Sequence, residues 1–255
     1  MQHILLTNDD GIHAPGLAAL ERELRTMGDL TVVAPAHEQS GVSHSITFLS
    51  PLICREVYEG DRRRGWAVEG SPADCVKIGV FEFCPHRPEL IVSGINGGLN
   101  AGINVLYSGT VAAAIEGAFF GITSVAVSLE FDEHAQFDKA ATIARRIIER
   151  ILRRKRPGAE LYNVNIPTAA IDGPVEVRVV PMDVELYSER FVKRRDPRGR
   201  DYYWATWEPR PQRRDGETDV TALAQGFVTV TPLQYDMTKY DVLREMSDWD
   251  LDDPA

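Results

Sequence analysis

The alternation of short apolar runs with helical patterns, over the first two thirds of the chain, constrains the fold more than any other feature. Continuous apolar runs occur at residues 4–6, 90–92 and 125–127, and residues 30–33 form a similar run that is apolar except at Thr31. Runs of this kind are typical of strands that are covered on both faces. A helical pattern follows the first run, with Leu17, Leu20 and Leu24 on one face, and further helical patterns occupy residues 108–121 and 136–154. Repetition of strand, helix and strand predicts an α/β fold with a doubly wound, mostly parallel sheet.

The pattern changes after about residue 161. Further elements are predicted from apolar periodicity: strands at 162–164, 175–180 and 227–231, and helices at 220–224 and 239–249. Residues 187–207 are aromatic and basic, and residues 196–199 supply strong turn chemistry at their centre, which predicts a β-hairpin. The acidic residues 248–255 are expected to fray.

Composition excludes several classes of protein. The formal net charge of −10 argues against stable nucleic-acid binding. No apolar run approaches the roughly 18 residues that span a bilayer, and the strand pattern starts at Ile4, which leaves no room for a signal peptide. We therefore expect no membrane association and a cytoplasmic location. Cys54, Cys75 and Cys84 lack Cys-x-x-Cys spacing, which argues against both a disulfide framework and a structural zinc site.

Four polar segments, each of which contains glycine, lie where strands end or a helix begins. They are residues 7–11, 38–45, 93–100 and 107–110. In open parallel sheets, ligands bind beyond the carboxyl ends of the strands. We therefore expect these four segments to meet at one edge of the sheet.

The residue types in these segments favour a metal ion next to a phosphate. Asp9 and Asp10 would point to opposite faces of a regular strand, but Gly11 permits a turn at which both converge. Two adjacent carboxylates repel each other unless a cation lies between them, and oxygen ligands favour Mg²⁺, Mn²⁺ or Ca²⁺. Asn96 could add a neutral oxygen, and the helix that starts near Thr110 could bind phosphate through free N–H groups. This combination suits phosphoryl transfer to water.

Plainer interpretations exist for each segment alone. Asp9 and Asp10 could form an Asx-turn and a helix N-cap, and residues 38–45 could be a surface loop. We interpret His44 as incidental, because the six histidines are scattered along the chain. Motifs for dinucleotide binding, a P-loop, a zinc protease and a serine-hydrolase elbow are all absent from the sequence.

The polar segments, taken in order, resemble the survival protein E (SurE) family of 5′/3′-nucleotidases. The resemblance is carried by residues 7–11, 40–41, 93–100 and 107–114, and it extends to 70–76, 163–167, 196–199 and 226–233. It covers nearly the whole chain. It departs from the family at His37, where relatives often carry Arg, and at Ser71, where Thr is usual. These departures leave base and sugar preference open.

The resemblance implies a single domain over residues 1–255, with a Rossmann-like core at about 1–182. The hairpin and a C-terminal helix, within residues 183–255, would be exchanged between subunits of a homodimer or homotetramer. The resemblance also implies one Mg²⁺ or Mn²⁺ ion per subunit, with four ligands: Asp9, Asp10, Ser40 and Asn96. Other residues would line the pocket (Asn8, Gly41, Ser43 and Asn100) or hold the phosphate (Ser108, Gly109 and Thr110).

The implied reaction is hydrolysis of nucleoside 5′- and 3′-monophosphates, with cleavage of short polyphosphate in some relatives. Asp9 or Asp10 would orient the attacking water or take its proton, and the sequence does not distinguish them. Three alternatives are weighed against this mechanism: an aspartyl-phosphate intermediate, a non-catalytic nucleotide sensor and a metal-dependent sugar-nucleotide transferase. The D-x-D pattern usual for an aspartyl-phosphate is absent from the 7–11 segment.

Overall fold

The computed structural model describes residues 2–185, 189–207 and 216–249. Its strands are β1 (Gln2–Thr7), β2 (Gly28–Pro35), β3 (Cys54–Glu59), β4 (Arg62–Val68), β5 (Leu90–Gly97), β6 (Thr123–Leu129), β7 (Leu161–Ile166), β8 (Val177–Val179), β9 (Glu189–Arg195), β10 (Asp201–Trp207) and β11 (Val228–Leu233). Its α-helices are α1 (Pro15–Leu24), α2 (Pro72–Ile78), α3 (Gly109–Phe119), α4 (Phe137–Arg154), α5 (Ala169–Asp172), α6 (Asp219–Ala224) and α7 (Tyr240–Met246).

Nine of the strands form one sheet in the order β3-β4-β2-β1-β5-β6-β7-β11-β8. The six strands from β4 to β7 are mutually parallel. The edge strand β3 is antiparallel to β4, and β11 is antiparallel to β7 while β8 runs parallel to β11. The predicted α/β class and the mostly parallel, doubly wound sheet are confirmed.

The first strand explains why its sequence is apolar at every position. Ile4 and Leu6 face a core that contains α1 and α4, whereas Leu5 faces a second core that contains α2 and α3. All three side chains are fully buried. Since consecutive strand residues point to opposite faces, a strand between two helical layers needs apolar residues throughout.

The C-terminal elements agree with prediction in kind and differ in length. β9 and β10 form the predicted hairpin, although Tyr187 falls outside the described residues. β8 covers only Val177–Val179 of the predicted 175–180, because it pairs with β11 over those residues alone. The predicted helix at 239–249 is shorter, as α7 ends at Met246 and has no buried residue to extend its packing. The exchange of this helix between subunits stays a prediction.

Neither the β3–β4 pair nor α2 was predicted. The β3–β4 pair, at Cys54–Glu59 and Arg62–Val68, extends the sheet beyond β2, and α2 packs against β1 and β2. α2 carries a capping box, in which the Ser71 hydroxyl accepts from the Asp74 amide and the Asp74 carboxylate accepts from the Ser71 amide. Among the described residues no helix is long and apolar enough to cross a membrane.

Candidate active site

The four polar segments predicted to meet do lie together. β1, β2 and β5 are neighbouring parallel strands, so their carboxyl ends open at the same edge of the sheet. Asp9 and Asp10 lie in the loop after β1, Ser40 lies in the loop after β2, and Asn96 lies at the carboxyl end of β5 itself. The N-terminus of α3 reaches the same edge, because Gly109 lies against Asp9.

Asp9 connects three of these segments. Its backbone carbonyl accepts a hydrogen bond of 2.7 Å from the Gln39 amide, and its Oδ1 accepts one of 2.6 Å from the Thr110 hydroxyl. The side chain is almost fully buried. Burial raises the pKa of this carboxyl, and the hydrogen bonds from Thr110 oppose that rise. Asp9 is thus fixed in position by groups from both flanking segments.

Asp10 connects the loop after β1 to the carboxyl end of β5. The backbone amide of Gly97 lies 3.4 Å from Asp10 Oδ2. Burial, and then the charge of Asp9, raise the pKa of Asp10 to about 6. The Glu38 carboxylate adds a smaller effect in the same direction on both aspartates. The site therefore concentrates negative charge that a bound cation would stabilise.

The side chains of Ser40 and Asn96 each donate a hydrogen bond to a neighbouring acceptor. The Ser40 hydroxyl donates a 2.6 Å hydrogen bond to Glu38 Oε1, and the Asn96 amide nitrogen donates one of 2.7 Å to the Gly98 carbonyl. Because each side chain acts here as a donor, lone pairs of Ser40 Oγ and Asn96 Oδ1 are left for a cation. Two carboxylates, a hydroxyl and an amide oxygen form a donor set that suits a hard divalent cation.

Asn8 stabilises the turn that brings Asp9 and Asp10 together. The Asn8 side chain is buried, donates to the Gly11 carbonyl at 3.0 Å and accepts from the Gly11 amide at 3.2 Å. Gly11 adopts a φ of +100°, a conformation that side chains rarely permit. The side chain of Asn8 is therefore committed to the turn beneath the predicted pocket.

The loop containing Gly41 and Ser43 is tied to the segment before α3. Ser43, with φ of +55°, donates from its amide to the Tyr107 carbonyl at 3.1 Å and from its hydroxyl to the Leu106 carbonyl at 2.7 Å. Gly41 also has a positive φ, and its Cα hydrogens face open space. These contacts place the loop against the start of α3.

The segment predicted to hold phosphate forms the N-terminus of α3. The Ser108 hydroxyl caps the helix by accepting from the Val111 amide at 3.1 Å. A Cβ atom on Gly109 would lie 2.9 Å from Asp9 Cβ, so only glycine allows this close approach. The helix therefore directs its N-terminal amides and the positive end of its dipole toward Asp9 and any anion beside it.

Asn100 lies below the surface of the site. Its side-chain amide donates to the Thr110 hydroxyl at 3.3 Å and to the Ser128 hydroxyl at 2.9 Å. Its backbone carbonyl accepts hydrogen bonds from the side chains of Asn163 and Asn165. Asn100 thus supports Thr110, which in turn contacts Asp9.

Comparison with known proteins agrees with this architecture. The family model described as survival protein SurE matches residues 4–189. The chain belongs to the SurE family.

Relatives match almost the entire chain. A protein named 5′-nucleotidase SurE from Rhodopirellula baltica is 58% identical over 250 residues, which is 97% of this chain and 98% of the relative. Another of that name, from Caldanaerobacter subterraneus, is 40% identical over 252 residues, or 98% of each chain. The crystal structure of the SurE protein from Aquifex aeolicus superimposes with a TM-score of 0.85 at 37% identity, covering 96% of this chain and 98% of that one.

Two acidic residues at the SurE site were not predicted from the sequence. Glu38 contacts Ser40, and Glu116 lies 2.7 Å from Nε2 of His44. His44, which we interpreted as incidental, also stacks on Phe119 with ring centroids 5.3 Å apart. The position of Glu38, two residues before Ser40, is the sequence feature that could have indicated its contact with the site. The His44–Glu116 contact joins residues 72 positions apart, so no local sequence pattern indicates it.

Proposed function

We propose that this chain is a 5′-nucleotidase, a metal-dependent phosphomonoesterase that hydrolyses nucleoside 5′- and 3′-monophosphates to nucleoside and phosphate. The high identity to full-length relatives named 5′-nucleotidase SurE supports the hydrolysis of nucleotides. The negative charge of the site supports the requirement for a metal.

The observation that carries the proposal is the charge of the site. Asp9 and Asp10 lie side by side with Glu38 near them, and the N-terminus of α3 adjoins Asp9. The segments 7–11, 38–45, 93–100 and 107–110 contain neither Lys nor Arg. A phosphate dianion beside these carboxylates would be strongly repelled unless a cation were present. A divalent ion resolves this conflict.

Four residues would hold that ion: Asp9, Asp10, Ser40 and Asn96. When bound, a divalent ion at such a site polarises phosphate oxygens and lowers the pKa of water. Asp9 or Asp10 would orient the attacking water or accept its proton. Thr110 and Asn100 would keep Asp9 in a single orientation for this task.

The phosphate would lie at the start of α3. The Gly109 and Thr110 amides, at the start of that helix, have no intrahelical acceptor, whereas the Val111 amide is capped by the Ser108 hydroxyl. The helix dipole also favours an anion there. Ser108 and Gly109 hold the helix start close to Asp9. Charge that develops on the phosphoryl oxygens would thus meet N–H groups already in place. The leaving nucleoside oxygen would face the opening of the site.

The proposal extends to the assembly and location of the protein. The β9–β10 hairpin exposes Phe191, Tyr203 and Trp204, and α7 buries none of its residues within one chain. Such apolar exposure favours a homodimer or homotetramer in which these elements contact another copy. Short polyphosphate is a further substrate in this proposal, and the cytoplasm is the location. Light scattering coupled to size exclusion measures the assembly.

A substrate screen tests the activity. Nucleoside 5′- and 3′-monophosphates and tripolyphosphate would each be incubated with Mg²⁺ or Mn²⁺, and phosphate release measured. We expect release from the monophosphates that stops when EDTA is added and resumes with excess metal. D9N and D10N should each lose at least 10²-fold in rate while keeping the far-ultraviolet circular dichroism of the wild type. Undiminished turnover in either variant, or in EDTA, contradicts the proposal.

A further inference from the structure

Glu38 is an acidic residue in direct contact with one of the proposed metal ligands. Its Oε1 accepts a 2.6 Å hydrogen bond from the Ser40 hydroxyl. A separation of this size is typical of a hydroxyl that donates to an ionised carboxylate. In the part of the chain that the structure describes, Glu38 forms no ion pair with Lys, Arg or His. Glu38 is thus an exposed carboxylate that accepts a hydrogen bond from Ser40.

The backbone on both sides of Glu38 is fixed to the aspartate loop. The Gln39 amide donates to the Asp9 carbonyl at 2.7 Å. A Cβ on Gly11 would lie 3.5 Å from the His37 carbonyl carbon and 3.6 Å from the Glu38 nitrogen, so the two loops are packed together. Glu38 is therefore held next to the aspartates by its own backbone.

A serine hydroxyl that binds a cation has one specific requirement. Its lone pair must face the ion, so its proton must be donated to an acceptor that lies elsewhere. A carboxylate is the strongest such acceptor, and by accepting the proton it also increases the electron density on the ligating oxygen. Glu38 Oε1 meets this requirement at Ser40. Glu38 thus adds a third negative charge to those of Asp9 and Asp10, near the cation site, without being one of the four proposed ligands.

We propose that Glu38 is a positioning residue for the metal site, which orients and activates the Ser40 hydroxyl as a ligand. This inference rests on the proposed function, because it assigns a role toward the metal that the function requires. Glu38 acts on the affinity for the ion through Ser40, and the reacting atoms themselves contact other residues. The measurable consequence is that loss of the Glu38 carboxylate weakens metal binding when Ser40 is present and has little effect when Ser40 is absent.

A double-mutant cycle on metal binding tests this dependence. Mn²⁺ affinity would be measured by electron paramagnetic resonance of the free ion, without substrate, for wild type, E38A, S40A and E38A/S40A. We expect E38A to weaken Mn²⁺ binding by about 10- to 100-fold. In the S40A background the same change should have little effect. E38Q retains an acceptor oxygen without the charge, so its affinity should fall between those of wild type and E38A.

The controls separate this inference from folding and from the function itself. E59A removes an exposed carboxylate from the end of β3, where it has no contact with the site, and should leave Mn²⁺ affinity unchanged. Thermal unfolding without metal should be alike for E38A and wild type, because Glu38 is exposed. The inference is supported if the fold loss of Mn²⁺ affinity caused by E38A is at least five times smaller in the S40A background than in wild type. Any smaller difference between the two backgrounds overturns it. Absence of Mn²⁺ binding by wild type would instead refute the metal-dependent function.

Discussion

The Thr110 hydroxyl donates a 2.6 Å hydrogen bond to Oδ1 of Asp9, between residues 101 positions apart. The same hydroxyl accepts from the side-chain amide of Asn100, which also donates to Ser128 on β6. This chain of polar contacts is buried and joins α3, the loop after β5 and the centre of the sheet. One carboxylate oxygen of Asp9, Oδ1, therefore accepts a hydrogen bond from Thr110, which leaves Oδ2 to bind the proposed metal ion.

Replacing Thr110 with valine keeps the side-chain volume and removes the hydroxyl. We expect T110V to lower kcat by about 10- to 100-fold, the usual cost of losing a residue that orients a metal ligand. The free energy of unfolding should fall by about 1–2 kcal/mol, because Asp9 and Asn100 both lose a buried partner. Steady-state kinetics and urea unfolding measure the two effects.

Thr229 on β11 offers a matched control. Its hydroxyl is buried and has no hydrogen-bond partner within the described residues. T229V should therefore change the free energy of unfolding by less than about 0.5 kcal/mol, or increase it, since no partner is lost. Equal losses of kcat in T229V and T110V would mean that the Asp9 contact has no special role.

Gly109 is predicted to tolerate no side chain. A Cβ there would lie 2.9 Å from Asp9 Cβ and 3.2 Å from the Gln39 carbonyl oxygen, two atoms of the site. G109A should lower kcat/KM by at least tenfold, although alanine favours helices by roughly 1 kcal/mol over glycine. G97A is the control, because its Cβ would meet nothing closer than 3.8 Å. Retention of full activity by G109A would show that the helix start can move away from Asp9 without cost.

Asp10 is predicted to lower the stability of the metal-free protein. Its folded-state pKa of about 6 lies above the ordinary value of 3.8, through burial and then the charge of Asp9. The ionised folded form is therefore disfavoured, and this cost is complete above pH 6 and disappears as the pH falls toward 4. With solvent screening of a partly exposed group, D10N should raise the free energy of unfolding at pH 7 by about 1–2 kcal/mol.

Urea unfolding in EDTA at pH 4 and pH 7 measures the effect of D10N. The gain should be small at pH 4, where the wild-type carboxyl is protonated in the folded state. Added Mg²⁺ should reverse the ranking at pH 7, since the wild type gains binding free energy that D10N loses. A D10N protein that is less stable than wild type at pH 7 in EDTA contradicts the prediction.

The elements that sequence predicted well are those whose burial is uniform. β1, β5 and β6 lie between two helical layers, so their apolar runs are continuous and easily recognised. β3 and β4 form the exposed edge of the sheet, and their charged residues and mixed burial conceal the strand pattern. α2 has only seven residues, too few for a clear helical period.

The candidate site likewise has residues whose placement the sequence predicts and others whose contacts it does not. Asp9, Asp10 and Asn96 lie at the ends of strands, where topology alone implies that they converge. Asn8 and Asn100 are expected to line the pocket; their side chains are buried and bind Gly11 and Ser128, and whether they also reach a substrate stays a prediction. Such a distinction depends on side-chain direction, which a single sequence does not specify. The contacts of Glu38 and of Glu116 likewise arise only when the loops are folded together.

The contact between His44 and Glu116 leads to the last prediction. His44 Nε2 lies 2.7 Å from Glu116 Oε2, and the Glu116 side chain is only 8% exposed. H44A would leave this carboxylate buried without its partner, so the free energy of unfolding should fall by about 1–3 kcal/mol. KM should rise, because the loop that carries Ser40 and Ser43 loses the contacts of the His44 side chain with Glu116 and Phe119 on α3, although its backbone contacts remain. The double variant H44A/E116A should lose less than the sum of the single variants, with a coupling of about 0.5–3 kcal/mol. H134A, at an exposed loop position, is the control, and strict additivity in the cycle would show that the two side chains act independently.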